Sequence, residues 1–95
     1  MVVGVLRISL GIEGNRSLKG KRGVIRHVQE SIRNKFGASV AEVGDQDVWQ
    51  SAVIGVVIVG SDKSMVNASL DRILNHVERL NVAVLRDHEM ELINY

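Results

Sequence analysis

The chain has 95 residues, 45% of them hydrophobic and 24% charged, with no cysteine and no proline. That is enough for one domain with its own core, and too apolar for a disordered chain. The cysteine count excludes disulfides, thiol nucleophiles and zinc–thiolate sites. The net charge of +1 conceals a division. Residues 1–37 hold eight Lys/Arg against two Glu, and residues 38–95 hold four against nine acids. A polarised small domain suits an anionic partner on one side.

Val2 to Ile12 alternates, with Val2, Leu6, Ile8, Leu10 and Ile12 on one face, which predicts a strand with one buried side. A loop follows, and Ser17 is the expected N-cap of a helix. Leu18, Ile25, Val28, Ile32 and Phe36 fall on one helical stripe, closed by Gly37. Ser39 to Val43 reads as a short strand and Gly44 to Asp47 as a turn. Ala52 to Val59 is almost wholly apolar, which predicts a central strand covered on both faces. Gly60-Ser61-Asp62 breaks it and can cap a second helix with the stripe Val66, Leu70, Ile73, Leu74, Val77 and Leu80, ended by Asn81. Residues 82–93 form a last strand. The parity of Val84/Leu85 disagrees with that of Met90/Leu92, which predicts a bulge or break.

The order β-α-β-β-α-β predicts an α+β, ferredoxin-like sandwich over residues 1–95, with two helices on one face of a four-stranded antiparallel sheet. No stretch approaches the length of a membrane span and no signal peptide opens the chain, so a cytoplasmic protein without a membrane partner is expected. The fold itself assigns no function.

The most informative segment is Asn15 to Arg26, which sets Arg16, Lys19, Lys21, Arg22 and Arg26 at the start of the first helix. Cations there oppose the helix dipole by about 0.3–1 kcal/mol each. A cluster placed against stability is explained by an anion such as a phosphate. Lys19, Arg22, Arg26 and Arg33 form a stripe beside the apolar one. Lys21 falls inside the apolar stripe. Its ammonium is expected either to snorkel to water or to join Arg16 at the strand–helix loop.

Several chemistries fit poorly. Gly14 to Lys21 is one residue too long for a P-loop, and Arg22 stands where a magnesium-binding Ser or Thr would be needed. No glycine-rich loop with an arginine cradle supports acylphosphatase-like catalysis. Asp45 and Asp47 are better explained by turn chemistry than by a metal. His27 on the polar side of the first helix, His76 at the border of the second and His88 lack metal-ligand spacing and read as surface histidines. No catalytic residue, metal or cofactor is expected. Trp49, the lone tryptophan, either meets a partner or plugs the end of the core.

The segments G-V-L-R-I-S-L-G-I (4–12), S-L-K-G-K-R (17–22) and V-A-E-V-G-D-Q-D-V-W-Q-S-A (40–52) resemble the YlxP-like bacterial family of unknown function (DUF503-type). That resemblance implies a ferredoxin-like fold. It also implies genes beside those for translation initiation and ribosome maturation, which tilts expectation toward RNA or a ribosomal component. Gly20 departs from the acidic residue usual after S-L-K in that family and should weaken the helix by up to about 1 kcal/mol. The expected function is a non-enzymatic RNA- or ribosome-associated domain. The alternatives are a homo-oligomeric protein-interaction module and, third, a small anionic-ligand-binding protein or enzyme. An open apolar sheet face makes a homo-oligomer through that face or an edge strand the expected assembly.

Overall fold

The computed structural model describes residues 1–95. The elements are β1 (Val2–Gly11), α1 (Leu18–Phe36), β2 (Ser39–Gly44), β3 (Ser51–Gly60), α2 (Lys63–Leu80) and β4 (Val84–Asn94). The sheet order is β2-β3-β1-β4 with every neighbour antiparallel, the ferredoxin-like topology.

The alternation of β1 decides the layering. Leu6, Ile8 and Leu10 are buried and pair across to Val56, Ile54 and Ala52 of β3. Ile25, Val28 and Ile32 of α1 and Leu70, Ile73 and Val77 of α2 close over them in one core. Gly4 lets α2 approach closely. A Cβ there would stand 2.6 Å from Val66 Cγ1 and 3.1 Å from Leu70 Cδ1.

Both helices begin and end as their sequences require. Ser17 accepts a hydrogen bond from the Gly20 amide, and Asp62 accepts one from the Ser64 amide. Gly37 and Asn81 adopt left-handed conformations at the C-termini, with φ of 64° and 52°.

The expected break in β4 is a bulge. Ser9 pairs with Asp87 and Leu10 with Leu85, so Arg86 is the extra residue. Its guanidinium lies across Gly11, whose missing side chain leaves the room. A second bulge at Val43 in β2 was not signalled by the sequence; there Glu42 pairs with Ile54 and Gly44 with Val53.

One expectation is corrected. β3 is central, yet within the chain its face away from the helices is covered only around Val53, which is 8% exposed. Both helices pack on the side of Ile54 and Val56, and on the other side Val57 is 39% and Val59 62% exposed.

Candidate anion-binding site

The cations of α1 are divided between the core edge, a side cleft and open solvent. Lys21, whose expected place was water or the strand–helix loop, turns inward and is only 2% exposed. Its ammonium lies 3.0 Å from Glu42 Oε2 and donates to the carbonyls of Asp45 and Val48, the latter at 2.8 Å. The Gln46 carbonyl is 3.4 Å away. That Glu42 oxygen is buried and has no other donor, so the ammonium is its sole electrostatic partner. Lys21 is therefore a bracket between α1 and the β2–β3 connection, and it is removed from the set of free cations.

The same connection is tied to the β1–α1 loop. Asn15 Nδ2 donates to the carbonyls of Ser17 and Trp49, Gln50 Nε2 donates to the Asn15 carbonyl, and the Ile12 amide donates to the Gln50 carbonyl. Asp45 sits at positive φ (57°) and its carboxylate accepts from Ser51 Oγ at 2.9 Å. That is turn chemistry. Trp49 stands on this braced loop with 52% of its surface exposed, so it does not plug the core.

Along the flank of α1, beside β2 and the β2–β3 connection, runs a cleft of about 400 Å³. Its floor includes Leu18, Ile25 and the paired Lys21 and Glu42, and its walls carry Arg22, Arg26, Gln29, Arg33, Gln46, Glu30 and Asp47. Arg33 is held by donation from its guanidinium to the Val40 carbonyl at 2.6 Å. Arg22, Arg26 and Arg33 are exposed, and no cation of the chain other than Lys21 has a carboxylate within 4.0 Å. Arg16 and Lys19 are exposed but do not line the cleft. The structure thus joins Arg22 and Arg26 with Arg33, leaves Arg16 and Lys19 at the helix start, and keeps Lys21 in the cleft floor with its charge committed to Glu42.

No group of three or more His, Asp or Glu residues is arranged to hold a metal ion. His27 and His88 are exposed, as expected. His76 is not a plain surface histidine. It is half-buried between the helices, hydrogen-bonded to Ser31 Oγ through Nε2, with Phe36 edge-on at 5.5 Å. Burial, and then the positive Lys35 and Arg79, hold its pKa below the usual 6.5. No helix is long and apolar enough to cross a membrane.

The family model described as a protein of unknown function, DUF503, matches residues 3–90. The chain belongs to the DUF503 family. The uncharacterized protein YlxP of Bacillus subtilis (strain 168) is 36% identical over 62 residues, which are 65% of this chain and 67% of that protein. Among solved structures, the structural-genomics protein YJCS superposes with a TM-score of 0.60 at 8% identity, covering 97% of this chain and 99% of that one. The de novo designed protein Foldit4 gives 0.52 at 18% identity, covering 99% of this chain and 97% of its own. SnoaB, a cofactor-independent oxygenase from Streptomyces nogalater, gives 0.51 at 16%, covering 99% and 92%. What these three share with the DUF503 chain is the fold. An oxygenase and a designed protein on one architecture illustrate how little it says about activity.

Proposed function

We propose that this DUF503 protein is a non-enzymatic, cytoplasmic RNA-binding domain that grips backbone phosphates along α1. The observation that supports the reading is the cleft. Arg22, Arg26 and Arg33 follow one another up one helix flank, unpaired with any carboxylate, although Glu30 and Asp47 line the same walls. From Arg22 to Arg33 the helix rises by roughly 16 Å, a length that spans several phosphates of a single strand. Guanidinium groups hold phosphate through paired N–H donors. Arg16 and Lys19 extend the cationic surface toward Trp49, whose exposed ring can stack on an unpaired base.

The test is RNA affinity as a function of salt. Phosphate gripping requires a log–log slope of about −0.7 per contact on a single strand. Arg22→Ala with Arg26→Ala should lower that slope and weaken all sequences nearly equally. Affinity that ignores salt, or survives the double substitution, overturns the reading.

A second reading concerns assembly and rests on the open sheet face. Val57, Val59 and Ile93 are 39%, 62% and 40% exposed on one side of the sheet. A second copy of the chain packed on that face would remove them from water.

A further inference from the structure

Where the C-terminal turn of α1 crosses α2, a recess of about 220 Å³ is lined by Lys35, Phe36, Arg72, Asn75, His76 and Arg79. No carboxylate lines it. Asp71 and Glu78 of α2 lie about 100° round the helix from Arg72 and Arg79, so the acids and the cations occupy neighbouring stripes. We propose that this recess is a second anion site, separate from the α1 cleft, whose ligand is a single phosphate group.

Lys35 and Arg79 have another role available, because each stands in the last turn of its helix and complements the dipole there. Arg72 has none. It sits in the middle of α2, pairs with no acid, and its guanidinium is steadied by donation to Ser69 Oγ at 3.0 Å. Asn75 adds a neutral amide donor to the same wall. When Nε2 of His76 accepts the Ser31 hydroxyl proton, the ring proton is on Nδ1, and no protein acceptor takes it. Three cations, an amide and an imidazole N–H around one small recess match the charge and the many acceptor oxygens of a phosphate better than those of a carboxylate. The charged groups around His76 are Lys35, Arg72 and Arg79, all positive. Lys35 and Arg79 repel an imidazolium, and a bound anion would relieve that repulsion.

The inference goes beyond the RNA reading and does not depend on it. A polynucleotide backbone and a free phosphorylated metabolite both offer a phosphate group, and the probes separate the two. Inorganic phosphate is titrated into the full chain at constant ionic strength while the His76 ring protons are followed by NMR across pH. The expected result is a saturable upward shift of the His76 pKa. Arg72→Gln with Arg79→Gln should weaken phosphate binding by about tenfold or more. Arg22→Gln with Arg26→Gln should leave the His76 response intact even if RNA binding is lost. Oligouridylate acting at lower concentration than uridine monophosphate assigns the site to a backbone, and the reverse order assigns it to a free metabolite. A His76 response no larger than that to chloride, or one retained in the Arg72/Arg79 variant, overturns the site.

Discussion

The side-chain oxygen of Asn15 occupies the space that a Cβ on Gly20 would fill. Asn15 cannot swing away freely, because its amide nitrogen is committed to the Ser17 and Trp49 carbonyls. Gly20 is therefore less a weak point of α1 than the seat of the β1–α1 loop. An acidic residue at this position requires a different course for Asn15.

Two glycines of the same helix should consequently respond in opposite ways to alanine. Around Gly23 a Cβ meets nothing within 4 Å, so Gly23→Ala should stabilise the protein by up to about 1 kcal/mol. Gly20→Ala should lose that gain and destabilise by a comparable amount. Urea denaturation of both, with Asn15→Ala added to Gly20→Ala to restore the difference, checks the relationship.

The bracket made by Lys21 gives a prediction about stability without binding. Lys21→Met strands the Glu42 carboxylate and three carbonyls, and should cost about 2–3 kcal/mol, since Glu42 keeps some access to water. The slope of RNA affinity against salt in the folded variant should match the parent's, because Lys21 grips no phosphate. A large loss of affinity with unchanged stability would return Lys21 to the binding surface.

His76 makes stability depend on pH. Its folded pKa is held below the unfolded value, so on acidification the unfolded chain takes up the proton first. This contribution is therefore lost as pH falls through about 6.5 toward the lower folded value, and it is fully present above about pH 7.5. Thermal melts from about pH 7.5 to about pH 5 should show a fall that is smaller in His76→Gln.

Assembly through the open sheet face is tested by charge. Val57→Lys places an ammonium in the middle of the exposed valines and should convert a dimer or trimer into monomers while circular dichroism shows the helices unchanged. Light scattering that finds the unmodified protein monomeric at micromolar concentration defeats the assembly.

Much of the fold was legible because periodicity carries it. The period of two in β1 named the buried Leu6, Ile8 and Leu10, and the clash of parity in β4 placed an irregularity between Leu85 and Met90, where the bulge is at Arg86. The bulge at Val43 gave no such signal, since β2 is too short for a parity to be established before it is broken. The site was harder. Spacing put Lys21 on the inner stripe, but its counterion, Glu42, lies 21 positions further on and is brought near only by the packing of α1 on β2. Arg33 was visible as part of the basic stripe, whereas its meeting with the β2–β3 connection across a cleft is a tertiary fact. Spacing put His76 at the border of the α2 stripe, but nothing in it signalled Ser31 and Phe36, which reach the ring from the other helix.

The brace across the two loops has a consequence for recognition. An exposed tryptophan on a slack loop must surrender backbone and side-chain freedom each time a partner is met, by about 1–2 kcal/mol for each residue backbone that is fixed. Here the chain on either side of Trp49 is already fastened, through the Val48 carbonyl to Lys21 and through its own carbonyl to Asn15. Most of that ordering is completed during folding. A ligand at Trp49 meets a prearranged surface, and contacts that would be too few to order a loose loop can suffice to hold it.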